Sequence, residues 1–132
     1  TTKPFAKSLQ CPECGTKMEY AGPLWLGKIF DLHFIERMQK ENAQTAFRNS
    51  TKITKLLALT KDEAEAPSTY YVLDQVSQNL GLPVPSVATF LQTLSSNGYV
   101  AVPTHFNSRG IRTNASAVEV QKLMRQLVAV GQ

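Results

Sequence analysis

The spacing of apolar residues in the second half of the chain most constrains its fold. Residues 69–80 carry apolar side chains at helical spacing, and Gly81 followed by Pro83 ends that segment. A second helical run covers residues 85–97 and stops at Asn97-Gly98. Two short helices joined by a tight glycine-containing turn are typical of a helix-turn-helix unit.

A β-hairpin and a final helix are predicted after these two helices. Residues 99–106 are β-prone, residues 107–110 have turn chemistry, and residues 111–113 return as a partner strand. Ser116 and Glu119 form a capping box before an amphipathic helix. We therefore predict an α+β fold: a winged-helix-like helical domain with a β-hairpin wing, preceded by a small Cys-containing knuckle.

The chain divides into three predicted segments. Residues 1–27 are rich in turn formers and form the cysteine knuckle, with one strand at 17–21 and a bend at 22–27. Residues 28–66 form a two-helix connecting segment, in which Asp31 caps a helix to about residue 42 and Ser50 caps a second helix. Residues 62–67 are predicted to be an acidic hinge, and residues 67–132 form the winged-helix-like domain.

The bend Gly22-Pro23-Leu24-Trp25-Leu26-Gly27 holds the only tryptophan of the chain. Two glycines and a proline fix unusual backbone angles, so that the large ring lies on a rigid turn rather than on a periodic face. We interpret Trp25 as a docking residue, and the alternative is a turn that caps the core.

Cys11 and Cys14 are the only cysteines, three positions apart. Their spacing suits two thiolate ligands of one zinc ion, but a structural zinc needs four ligands and His33 and His105 are the only imidazoles. The pair is therefore half of a metal site, with a metal-free thiol pair as the alternative. Two cysteines are too few for a disulfide framework, which predicts a cytoplasmic protein. The sequence has no apolar run of membrane length, which predicts no membrane contact.

The chain has 14 Lys and Arg against 10 Asp and Glu, a net charge of +4 that is compatible with a polyanionic partner. Arg109 and Arg112 lie in the predicted wing, where a hairpin is expected to expose both guanidinium groups to phosphate. The alternative is a solvated turn. A second basic cluster surrounds the helix after Ser50 and equally suits an ordinary solvated face. It comprises Arg48, Lys52, Lys55 and Lys61.

Five stretches in series carry a family resemblance: Cys-Pro-x-Cys-Gly, the 22–27 bend, Tyr70-Tyr71, Thr104-His105-Phe106 and Gly110-Ile111-Arg112-Thr113. From about Cys11 to the last helix, the chain resembles the C-terminal domain of the tRNA (guanine-26-N2)-dimethyltransferase family. The resemblance implies that an S-adenosylmethionine-binding methyltransferase domain precedes this segment and contacts it, and that zinc ligands stand upstream. It implies tRNA contacts at Thr104, His105, Arg112 and Thr113, and Arg109 of the predicted wing joins them as a candidate phosphate contact. No catalytic or cofactor-binding residue is carried over.

The leading hypothesis is thus a tRNA-binding segment that belongs to a methyltransferase and is inactive alone. Alternatives are a winged-helix DNA-binding regulator and a protein-interaction module, each with a zinc knuckle. Residues 86–97 contain no Arg or Lys to bind guanine or phosphate, which disfavours the DNA-binding alternative.

Overall fold

The structure, a computed structural model, describes residues 10–11, 15–19, 22–23, 25 and 27–130, without the side chain of Val130. This part of the chain contains five α-helices and three β-strands, so the predicted α+β class is confirmed. The helices are α1 (Leu32–Gln44), α2 (Ser50–Glu63), α3 (Leu73–Leu80), α4 (Val87–Ser96) and α5 (Ala117–Val130), and the strands are β1 (Tyr71–Val72), β2 (Ala101–Pro103) and β3 (Gly110–Thr113). None of the described helices combines the length and apolar character that a membrane crossing needs.

Helices α1 and α2 pack against each other through polar contacts at the turn between them. The Asp31 carboxylate accepts a hydrogen bond from the Phe34 amide, which confirms the predicted cap of α1. Ser50 was expected to cap α2, but Asn49 occupies the cap position, because the Ser50 hydroxyl donates to the Asn42 carbonyl of α1 instead. The buried Asn42 amide in turn donates to Thr54 Oγ1 at 2.9 Å.

The two short helices of the second half end as predicted. Gly81 adopts φ +65° at the end of α3, Gly98 adopts φ +83° after α4, and the Ser86 hydroxyl caps α4 by accepting from the Thr89 amide. The predicted start of α3 is wrong, since residues 71–72 are strand β1. Tyr71 pairs with Ile111, and this long-range pairing overrides the local helical spacing.

The strands form one antiparallel sheet with the order β1-β3-β2. Strands β2 and β3 make the predicted hairpin, with Val102 opposite Arg112. Helices α3, α4 and α5 cover the sheet and form the core with it. The central buried side chains are Leu73, Phe90, Leu94, Ile111, Val120, Leu123 and Met124.

The segment before α1 is only partly described. Lys17 pairs with Gln10 in an isolated bridge, while residues 18 and 19 form no strand, so the predicted strand at 17–21 is wrong at those two positions. Residues 20 and 21 lie outside the described part. The Cys11 amide donates to the Thr16 carbonyl at 2.8 Å, and Gly15 adopts φ +70°, as expected for a tight turn at Cys11.

Candidate nucleic-acid interface

The tip of the β2–β3 hairpin is closed by a dense set of hydrogen bonds. The Asn107 carbonyl accepts from Thr104 Oγ1 at 2.7 Å and from the Gly110 amide at 2.9 Å. A Cβ atom at Gly110 would lie 2.4 Å from Thr104 Oγ1, so the tip closes this tightly only with glycine there. Thr104 is therefore buried inside the tip.

Glu63, at the end of α2, is the buried anchor of this hairpin. Its Oε2 accepts from Arg112 Nε at 2.7 Å, and its Oε1 accepts from the His105 amide and lies 2.9 Å from His105 Nδ1. The expected acidic hinge at residues 62–67 is therefore wrong at Glu63, whose carboxylate is fully buried by two partners from the hairpin. One carboxylate joins α2 to strand β3 and to the loop between β2 and β3.

Arg112 is buried, whereas the sequence predicted an exposed guanidinium group. Its side chain is only 5% exposed, because β3 is the central strand and the guanidinium turns inward to Glu63. Nη1 also donates to the carbonyls of Pro67 at 3.0 Å and Ser68. All these partners belong to the chain itself, so Arg112 holds the hairpin against the end of α2 and the segment that follows it.

Arg109 is partly exposed at the hairpin tip. Its Nε lies 3.2 Å from Asp74 Oδ2, and its Nη2 donates to the Pro85 carbonyl at 3.4 Å. The guanidinium is thus on the surface, as expected, but neutralised in part by an exposed carboxylate. Thr113 is buried on β3 and its hydroxyl accepts from the Ala115 amide at 3.1 Å.

His105 is partly exposed between two aromatic rings. Its ring centroid lies 5.5 Å from that of Phe30 and 5.1 Å from that of Phe106, both in edge-to-face arrangement. The Glu63 carboxylate beside Nδ1 favours the tautomer with a proton on Nδ1, and Nε2 forms no hydrogen bond within the described residues. The imidazole is therefore held in one orientation with Nε2 free for a ligand.

Phe106 and Tyr70 extend this aromatic row across the surface. Their centroids are 5.0 Å apart, and Phe106 is half exposed. Phe106 belongs to the family motif but was not predicted as a site residue, although an aromatic next to a histidine in a predicted hairpin is a sequence signal for stacking. Tyr71 packs against the core instead, and burial raises the pKa of its hydroxyl, which keeps the proton on that oxygen.

Trp25 is 75% exposed, so its own ring does not cap the core, while Leu24 and Leu26 of the same bend lie outside the described residues. Its indole Nε1 donates to the Lys28 carbonyl at 3.1 Å, and the ring lies over Gly27, where a Cβ would be 2.9 Å from Cζ2. The ring therefore closes its own bend and leaves most of its surface uncovered. The docking role of Trp25 stays a prediction.

The structure describes only half of the proposed metal pair. Cys11 is partly buried with a free thiol, and Cys14 lies outside the described residues. Of the histidines, His33 is exposed on α1 and His105 is bound to Glu63. The described residues bring no three metal-ligating side chains together, and the Cys11–Cys14 pair stays a prediction.

The hairpin surface carries aromatic rings, His105 and Arg109, and comparison with known proteins identifies the family of the chain. Residues 1–125 match the model of the N2,N2-dimethylguanosine tRNA methyltransferase family, and the chain belongs to this family. This confirms the resemblance found in the sequence.

Individual relatives agree with this assignment. The chain is 36% identical to the tRNA (guanine(26)-N(2))-dimethyltransferase of Methanobrevibacter smithii, over 89% of the chain and 30% of that protein. It is 35% identical to the tRNA (guanine(26)-N(2)/guanine(27)-N(2))-dimethyltransferase of Aquifex aeolicus, over 89% of the chain and 29% of that protein. Trm1 from Pyrococcus horikoshii, solved with S-adenosyl-L-methionine, superposes with a TM-score of 0.71 at 26% identity, over 78% of the chain and 28% of that protein. The chain thus spans about 30% of the length of the relatives it matches.

Proposed function

We propose that this chain is the tRNA-binding C-terminal segment of a tRNA (guanine-N2)-dimethyltransferase acting on guanine 26. The match of residues 1–125 to that family carries the proposal. Methylation of an exocyclic amine requires the base to leave its stack, and a separate segment that grips the tRNA supplies the positioning. In this proposal the chain is cytoplasmic and belongs to a tRNA-processing transferase.

The order of elements supports a winged-helix interpretation. Helix α2 is followed by β1, the α3–α4 pair and the β2–β3 hairpin, which is the order of a helix-turn-helix unit with a wing. On this interpretation the hairpin tip is the wing. Helix α4 presents Thr89, Gln92 and Ser95 and carries no Lys or Arg, so groove-reading of DNA is not favoured.

The proposed tRNA contacts divide into two groups. Arg109 and His105 are partly exposed and reach phosphate or base directly. Arg112, Thr104 and Thr113 are buried and contribute by holding the hairpin in shape. Phosphate contacts dominate this kind of binding, so the affinity falls steeply with salt.

S-adenosylmethionine belongs to the methyltransferase domain in this proposal. Strand β1 runs directly into α3 at Val72-Leu73, and β3 reaches α5 through Asn114, Ala115 and Ser116, so the described strand-to-helix turns contain no glycine. A nucleotide-type cofactor site usually needs a glycine-rich turn there. The described residues therefore do not fit this cofactor.

The surface for the methyltransferase domain is proposed at Trp25 and at an apolar groove between α1 and α2. The groove has a volume of about 310 Å³ and includes Phe34, Phe47 and Leu57. Both phenylalanines are about half exposed. Large exposed apolar surfaces of this kind mark contact sites, and the chain spans only about 30% of its relatives.

Incubation of the chain with labelled S-adenosylmethionine and a tRNA transcript tests the proposal, alongside tRNA binding at several salt concentrations. We expect salt-sensitive binding without methyl incorporation, because the described residues do not fit the cofactor. Incorporation above the level of a heat-denatured control contradicts the segment's proposed role, and so does the absence of tRNA binding at low salt.

A further inference from the structure

An open cleft of about 500 Å³ lies between β1, α3 and α5, and Tyr70 is among its lining residues. Its polar lining residues are Gln75, Asn79 and Gln121, which carry side-chain amides, and Tyr70 and Tyr71, which carry hydroxyls. We call these five residues and the space between them the amide cleft. No charged side chain of the described residues lines it, so it suits a neutral polar ligand.

The polar groups of the amide cleft have no partners within the described part of the chain: none of the three amides or two hydroxyls forms a hydrogen bond there. Gln75 and Asn79 are four residues apart on α3 and share one face, opposite Gln121 on α5. Each amide offers both donors and an acceptor. Such a set matches the mixed donors and acceptors on the edge of a nucleobase.

Tyr70 gives the amide cleft an aromatic wall that is already fixed in place. Its ring packs edge-to-face on Phe106 at 5.0 Å and is 46% exposed. An aromatic ring held by a neighbour loses little side-chain freedom when a base stacks on it. Tyr70 therefore joins the aromatic row of the wing to the amide cleft.

A cation follows the cleft-lining Gln121 along α5. Arg125 follows Gln121 by one helical turn on α5, is exposed, and forms no ion pair within the described residues. A guanidinium in this position suits a phosphate next to a base that lies in the cleft.

We propose that the amide cleft binds one unpaired nucleotide of the RNA, with its base on Tyr70, its edge on the amides and its phosphate on Arg125. The inference rests on the proposed tRNA binding and adds the kind of nucleotide that is recognised. A base within a duplex has its edge paired and its faces stacked, so only an extruded or single-stranded nucleotide offers both to the cleft.

Two fluorescently labelled RNA hairpins, identical except for one unpaired nucleotide in the stem, test the inference against the 132-residue chain. We expect tighter binding of the bulged hairpin. Tyr70→Leu should weaken that binding by about 5- to 100-fold, the range typical for removal of one stacking ring, and leave the fully paired hairpin unaffected. Tyr70→Phe keeps the ring and should retain most of the preference.

Gln78→Leu is the matched control, since Gln78 is exposed on the same helix, α3, and does not line the cleft. It should leave binding of both hairpins unchanged. Gln75→Leu, on the exposed face of α3, should reduce the preference for the bulged hairpin. If circular dichroism shows that Tyr70→Leu does not fold, Gln75→Leu tests whether the cleft binds the unpaired nucleotide.

Equal affinity for the two hairpins overturns the inference about the cleft but does not contradict the proposed tRNA binding. An equal reduction in Gln78→Leu and Gln75→Leu also overturns it. If neither hairpin nor a tRNA transcript binds at low salt, the proposed function itself is overturned. If cleft variants keep the bulge preference but no longer associate with a methyltransferase domain, the cleft is a protein contact and the inference is wrong.

Discussion

At the scale of single residues, Glu63 contributes most to the site because one carboxylate serves two hairpin side chains. Its oxygens contact Arg112 Nε and His105 Nδ1 in a place that solvent does not reach. A buried ion pair gains little net free energy when it forms, but removing one partner leaves an uncompensated charge. The free energy of unfolding is therefore far more sensitive to Glu63 than to any exposed carboxylate.

Glu63→Ala should lower the free energy of unfolding by about 3–5 kcal/mol, since it leaves the Arg112 guanidinium buried without its partner. Glu65→Ala is the matched control two residues on, because its pair with Lys28 is solvent-exposed and should change the stability by less than about 1 kcal/mol. Urea denaturation followed by circular dichroism measures both. Equal effects of the two substitutions would contradict the anchoring role of Glu63.

Local signals were predictable from the sequence at this scale, and distant partners were not. Asp31, Gly81 and Ser116 act within three or four residues of themselves, so their caps could be placed from spacing alone. Glu63 and Arg112 are 49 residues apart, and each looks like an ordinary surface charge in the sequence. The burial of Arg112 therefore required the three-dimensional arrangement.

At the scale of elements, the β2–β3 hairpin has a tip closed by hydrogen bonds and exposes few unpaired cationic side chains. Strand β3 is central and pairs with both neighbours, so its side chains are all buried, while the tip carries Arg109 and His105 at the surface. The hairpin itself was predictable from β-prone residues and turn chemistry. The position of β3 at the centre of the sheet was not, because β1 is only two residues long and lay within a predicted helix.

Arg109→Ala should weaken tRNA binding and reduce the slope of log affinity against log salt by roughly 0.7 to 0.9, because one phosphate loses its cation. The fold should be retained, because Arg109 is partly exposed and its partner Asp74 is solvated. Titrations at several salt concentrations measure the slope, with Lys40→Ala on the exposed face of α1 as the control. An unchanged slope would exclude the hairpin tip as the phosphate-binding surface and favour the basic face of α2.

At the scale of the whole molecule, apolar surface stays open on both sides of the core. Helices α1 and α2 leave one groove, and the sheet with α3, α4 and α5 encloses the main core but leaves a second groove that includes Val84 and Leu127. Docking of the proposed methyltransferase domain on α1 and α2 would cover the first groove. The sequence indicated this arrangement only through the family resemblance, since no periodicity states which apolar face lies uncovered.

The zinc content of the purified chain is also predicted at the scale of the whole molecule. We expect less than one zinc ion per chain, since Cys11 and Cys14 supply two of the four ligands that a structural zinc needs and the resemblance places further ligands upstream. Elemental analysis of the purified chain measures this, with Cys11→Ser as the reference for non-specific metal. One zinc per monomer that Cys11→Ser abolishes would show that the chain completes the site by itself.

The exposed indole of Trp25 has a consequence for how this protein can be observed. Because it is the only tryptophan and is 75% exposed, we expect its emission in the folded state to resemble that of a solvated ring. Denaturation should change such a signal little, while a domain that covers the ring should shift it towards shorter wavelength. The indole would thus report the proposed docking optically and respond little to unfolding.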